Sequence, residues 1–135
     1  GLAALALALG GCATTYTDAT NPLTGLAGGY YDLEGPGKLT IVGFSGNGYT
    51  DAETVRTFVL RRACEVTREQ GKGHFLAFTT LEQAAAMRTV GEDLGIHALG
   101  GKPFSMIYIL PLDAAQPGAM SVDDLLPRLM AEKES

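Results

Sequence analysis

The 135-residue sequence predicts an α+β domain, a small and mostly antiparallel sheet of three to four strands covered by a long helix at about 51–70 and by a C-terminal helix. Three observations predict it. β-Branched and aromatic residues concentrate in KLTIVGFS (38–45), HFLAFTT (74–80) and FSMIYIL (104–110). Ala52, Val55, Phe58, Val59, Ala63 and Val66 recur at three- and four-residue steps, the spacing of one helical face. Glycine- and proline-containing stretches separate these segments.

Taken in order, Tyr30, Tyr31 and Leu33 mark a short first strand, and Glu34-Gly35-Pro36-Gly37 supplies a turn into 38–45, giving a hairpin. Thr50 with Glu53 reads as a capping box opening the long helix. Gly71 and Gly73 stop that helix, and 74–80 follows as a central strand. Ala84, Ala85, Met87 and Val90 suggest a helix over Leu81–Leu94, although Gly91 interrupts it. Pro111 ends the strand at 104–110. Ser121, with Asp124 in the glutamate position of a capping box, opens an amphipathic segment from Val122 to about Glu132, weakened in the middle by Pro127. The pattern leaves strand order open.

Composition narrows the function classes. Hydrophobic residues make up 46% and charged residues 19%, and the net charge is −5 with ten scattered Lys and Arg. Such a chain is a poor nucleic-acid binder and lacks the basic cluster that would hold it on anionic lipid.

The first eleven residues, Gly1 to Gly11, carry no charge, and Thr14, Thr15, Thr17 and Asp18 follow closely. A membrane span needs about 20 apolar residues, and an all-round apolar run ending in two glycines makes a poor core helix. A secretory leader, with its apolar stretch of about 7–15 residues before small residues, fits. Its end, Leu9-Gly10-Gly11-Cys12, resembles the bacterial lipobox, with Gly10 where Ala or Ser is more usual. The resemblance implies lipid transfer to the Cys12 sulfur, signal-peptidase cleavage between Gly11 and Cys12, and acylation of the new amine. Ala13, in place of Asp, implies the outer membrane under the enteric sorting rule. Two or more acyl chains anchor stably, each buried CH₂ contributing about 0.8 kcal/mol. The expected organisation is a signal peptide at 1–11, a lipidated Cys12 with a Thr-, Asn- and Pro-containing tether over 12–27, and one domain over 28–135.

Further residues carry a second resemblance: Gly29-Tyr30, then Val42-Gly43-Phe44-Ser45-Gly46-Asn47-Gly48-Tyr49-Thr50, then Arg62-Ala63-Cys64-Glu65-Val66-Thr67 with Gly71. Over roughly residues 9–80 the chain is similar to a family of small bacterial envelope lipoproteins. That family shows a GY segment, a strand ending in F-x-G-N-x-x-T and a helix with R-A-A-E-x-T. Cys64 replaces an alanine of that pattern, and Gly43 interrupts a strand that is usually bulkier there. The resemblance implies an envelope lipoprotein and assigns no catalytic residue.

Candidate chemistry is sparse. Gly43, Gly46 and Gly48 are spaced GxxGxG rather than GxGxxG, and no Lys-Ser/Thr pair follows to reach a phosphate. Cys64 is the one thiol besides Cys12, open to an intermolecular disulfide or to a shielded packing role. His74 is expected at a solvated strand edge and His97 in a glycine-rich loop, with no acidic partner at metal-ligand spacing. A Ser45–His74–acid triad lacks the G-x-S-x-G elbow. Arg62 falls inside the apolar stripe, so its head needs an acid or water. Glu65, Glu69 or Asp51 can serve as its partner, and contact with a ligand or partner is the other use.

The leading expectation is therefore a non-enzymatic envelope lipoprotein, membrane-held through Cys12 and facing the periplasm. It needs no cofactor beyond the covalent lipid, and its partner is another envelope component. A small-ligand binder with a pocket between helix 51–70 and the sheet is the alternative, and a lipid-anchored hydrolase is the third.

Overall fold

The computed structural model describes Tyr16 and residues 29–134. The leader at 1–11, Cys12 and the rest of the 12–27 segment lie outside the described residues. The elements are β1 (Gly29–Glu34), β2 (Thr40–Ser45), α1 (Ala52–Glu69), β3 (His74–Phe78), α2 (Leu81–Ala85), β4 (His97–Leu99), β5 (Lys102–Leu112), β6 (Met120–Ser121) and α3 (Val122–Glu134). They form the expected α+β architecture: one antiparallel sheet ordered β1-β2-β5-β3-β6, with β4 paired to β5. The sheet has six strands rather than three to four. The additions, β4 and β6, are three and two residues long, too short to show a period of two.

β1 and β2 form the expected hairpin, with Glu34 opposite Thr40 and Gly29 opposite Ser45. Long β5 then lies between β2 and β3, with Val42 opposite Ile107 and Ala77 opposite Ile109. Alternation along these strands sends Val42, Phe44, Phe75, Ala77, Ile107 and Ile109 into one core with Val55, Phe58, Val59 and Val66 of α1.

Five of the six residues of the expected α1 stripe are buried, and Ala52 at the helix start is exposed. Leu60, Cys64 and Thr67 are buried as well. At about 100° per residue they lie roughly 120–180° around the helix from Val55, on a flank the sheet cannot reach. α3 packs against α1 and supplies the second cover, with Val122, Leu125 and Leu129 buried in the same core.

The start of α1 differs from the expected capping box. Asp51 is the N-cap, its carboxylate accepting the Thr54 amide at 2.7 Å. Thr50 instead closes the preceding turn, accepting from the Asn47 amide and donating to Asn47 Oδ1, both at 3.1 Å. Glu53 pairs with Arg56 at 2.7 Å. An aspartate needs no reciprocal glutamate to cap, and its adjacency to the first turn lets it displace the threonine.

The expected helix over 81–94 stops at Ala85. Thr80 caps it, but Met87 adopts φ +55° and Gly91 φ +59°, and these left-handed positions turn the chain out of the helix. The following residues run back along the sheet: the Val90 amide donates to Ala77 O at 2.9 Å. Leu94 is buried in the core, and Ser105 Oγ donates to Gly95 O at 2.8 Å, pinning this crossing from below. The apolar spacing at 84, 85, 87 and 90 thus does not mark a buried helical face: Ala85 and Met87 are exposed, and Ala84 and Val90 are only half-buried. α3 runs to Glu134 with Pro127 inside it, and Ser121 Oγ accepts the Asp124 amide at 3.4 Å.

Candidate interaction site

Two surfaces combine burial, charge and aromatic side chains. The first is the flank where α1 meets β1. Asp32 stands on the α1 side of β1, opposite Val42, and its carboxylate accepts Arg62 Nε at 2.8 Å. Arg62 Nη1 also reaches Glu65 at 3.2 Å and Glu69 at 3.0 Å, and its guanidinium lies 4.6 Å from the Tyr30 ring centroid. The Arg62 side chain is 12% exposed. Burial of the guanidinium lowers its pKa, but the bond to Asp32 and the surrounding carboxylates outweigh this and raise it. Arg62 is therefore a permanent cation bracing helix against sheet, shared among three carboxylates from two elements. Of the partners expected for it, Glu65 and Glu69 are used, and Asp32 takes the place proposed for Asp51, which caps the helix.

Tyr16 completes this flank. Its ring packs 4.6 Å from Tyr30 and 5.1 Å edge-on from Phe58, with the Arg61 guanidinium 4.0 Å over its face. Its hydroxyl donates to Glu65 Oε1 at 2.5 Å. Burial and the bond to Glu65 both raise the phenol pKa, so it stays protonated and donating. Arg61 Nε reaches the second Glu65 oxygen at 3.2 Å. Sequence reasoning placed Tyr16 in the tether. The available signal was its aromatic ring, isolated in a run of Ala, Thr and Asp.

The second surface is the side of the sheet facing away from α1. Register brings Tyr31, Leu33, Ile41, Met106, Tyr108 and Leu110 together there, beside the buried Leu76 and Phe78. Leu33 is 52% and Met106 38% exposed. A Cβ added to Gly43 would lie 2.3 Å from Tyr31 Cζ, so the glycine gives the tyrosine ring its seat on the backbone. Burial raises the Tyr31 pKa. At one end of this face an apolar groove of about 480 Å³ runs between the β1–β2 turn and α2, lined by Pro36, Leu39, Phe78, Leu81, Met87 and Leu110. By contrast, the interface between α1 and the sheet, where the small-ligand reading places its pocket, is filled by Val42, Phe44, Phe58 and Ile107, all at most 1% exposed.

The residues tested for catalysis are not brought together. Ser45 lies opposite Phe104 and His74 opposite Leu112, so they are offset by eight residues along β5, roughly 27 Å. His74 is not at a solvated edge: it sits between β5 and β6, and its Nδ1 is buried with no hydrogen-bond partner among the described residues. His97 belongs to β4 rather than a loop and packs 5.5 Å from Phe104. Cys64 is fully buried, and burial pushes its thiol pKa up to about 12. Among the described residues no group of three His, Cys, Asp or Glu side chains is placed to hold a metal, and no helix is long and apolar enough to cross a membrane. Cys64 is expected to resist a thiol-reactive maleimide in the native protein and to react in denaturant; quantitative labelling without denaturant would place the thiol at the surface.

No family model, curated protein or solved structure matches the chain.

Proposed function

We propose that the protein is a bacterial envelope lipoprotein, anchored through lipid on Cys12 in the outer membrane and facing the periplasm. Its domain works without catalysis, as an interaction or structural module for another envelope protein. The observation that carries the reading is the outer sheet face, where Tyr31, Leu33, Ile41, Met106, Tyr108 and Leu110 adjoin one another and two of them are substantially exposed. A continuous apolar face on a rigid sheet is a docking surface more than an active site, since it offers contact area without a nucleophile, base or metal. The Arg62 cluster supports the same reading, because its cation is already neutralised by the protein's own carboxylates.

Two measurements test this. Cys12→Ser is expected to shift the chain from the membrane fraction to the soluble fraction and to abolish fatty-acid labelling; persistence of either defeats the anchor. A photo-crosslinking residue at position 106 is expected to capture a defined envelope protein in whole cells. Capture that is equally strong from exposed Gln116, off this face, would defeat the docking surface.

A further inference from the structure

The described position of Tyr16 changes the geometry of the anchor. Read as a tether, the segment from Cys12 to the start of β1 at Gly29 spans 17 residue steps and reaches up to about 58 Å, so that any side of the domain could touch the bilayer. Tyr16, however, is held on the domain by four separate contacts: the Tyr30 and Phe58 rings, the Arg61 guanidinium and the Glu65 carboxylate. Only four residue steps separate Cys12 from that fixed point, a maximum of about 14 Å. A domain of this size is roughly 30 Å across. With the leash shorter than the body, rotation is restricted to orientations that keep the Tyr16 flank toward the anchor.

We infer that Tyr16 is a clamp that presents the α1–β1 flank, carrying Arg61, Arg62, Glu65 and Glu69, to the lipid headgroups and turns the opposite edge of the domain toward the compartment. The inference rests on the lipid-anchor reading of Cys12. Nothing in the flank opposes it: two arginines and three carboxylates leave it nearly neutral, so an anionic bilayer neither repels it strongly nor is needed to attract it. β6, at the sheet edge opposite β1, lies four strand positions away, about 19 Å across the sheet and farther than the leash extends. The outer sheet face, on the side of the sheet away from α1, is left accessible to a partner approaching through the periplasm.

The chain contains no tryptophan, so a single Trp is a clean reporter. The lipidated full chain, purified from membranes, is reconstituted into phosphatidylethanolamine–phosphatidylglycerol vesicles containing a headgroup-nitroxide lipid. Glu69→Trp reports the clamped flank and Gln116→Trp the loop that leads into β6, both positions being exposed. Quenching is expected to be several-fold stronger at 69 than at 116, and Tyr16→Ala is expected to bring the two close to equality. Equal quenching at both positions with Tyr16 intact, in vesicles that carry the protein on flotation, would overturn the clamp and leave the anchor standing. Failure to float at all would remove the anchor itself. The clamp is also checked apart from lipid in the soluble Cys12→Ser chain. There Tyr16→Ala is expected to shift the backbone NMR resonances of Arg61 and Glu65 and to lower the denaturant midpoint, whereas unmoved resonances would mean that Tyr16 is not docked.

Discussion

Phe58→Ala is expected to lower stability by about 3–5 kcal/mol, measured as a fall in the urea midpoint with an unchanged slope. Phe58 is 1% exposed and stands at the junction of three surfaces. Its ring meets Phe44 of β2 edge-on at 4.9 Å, packs against Tyr16 at 5.1 Å, and fills the α1 side of the sheet core. Truncation removes the apolar burial, leaves a cavity between rigid elements, and takes away the support beneath Tyr16. Against a typical domain stability of about 5–15 kcal/mol this is a large fraction. Phe58→Leu keeps most of the volume and is expected to cost distinctly less. A loss from Phe58→Ala no larger than that of an exposed control such as Glu82→Ala would contradict the packing described for α1.

Arg62→Ala is expected to cost about 2–3 kcal/mol, somewhat below the range for removing one partner of a fully buried pair, because the side chains left behind can partly hydrate. Asp32 and Glu65 are 30% and 28% exposed, Glu69 59%. Without the guanidinium, three carboxylates face one another across the α1–β1 contact, and the Tyr30 ring loses its cation. Arg62→Lys keeps the charge but cannot reach Asp32, Glu65 and Glu69 with one planar fork, so an intermediate loss is expected. Glu69→Gln, at the exposed end of the cluster, is expected to change stability by less than about 0.5 kcal/mol. Denaturant titration of the three variants checks the order Ala, Lys, Gln. A Glu69→Gln effect equal to that of Arg62→Ala would mean that the exposed end of the cluster carries it.

Most of the fold is legible in the sequence because its main elements are long enough to display their period. The α1 stripe is of this kind, and the strands at 38–45, 74–80 and 104–110 declare themselves by clustered β-branched and aromatic residues. The expectation fails where a tertiary contact decides. Cover from α3 makes Leu60 and Cys64 core residues; the C-terminal helix is expected over the sheet, but the single-stripe reading of α1 does not show that it packs along this flank. Met87 leaves the helical region although its neighbours are good helix formers, so residues 86–94 read as the rest of a helix until Val90 is seen bonded to Ala77. His74 looks terminal in sequence, yet β6, supplied by residues 120 and 121, closes over that end of β3.

The candidate site is legible in part. Arg62 stands out as a cation within an apolar stripe, and two of its acids are on the same helix. Its third, Asp32, is 30 residues away on another element, and only the pairing of β1 with β2 brings it across. The outer sheet face was hidden for a related reason. Runs such as FLAF and MIYIL are apolar at every position, so they announce strands without distinguishing the side covered by α1 from the side left open.

Asp32 has a consequence for molecules that meet one another. Among the described residues β1 pairs on one side only, and an unpaired strand edge invites a second chain to add to the sheet. A charge set in that edge, held by Arg62, penalises such an addition, because a neighbouring strand would have to desolvate the ion pair. The same salt bridge that joins helix to sheet thereby helps keep neighbouring copies from polymerising edge to edge.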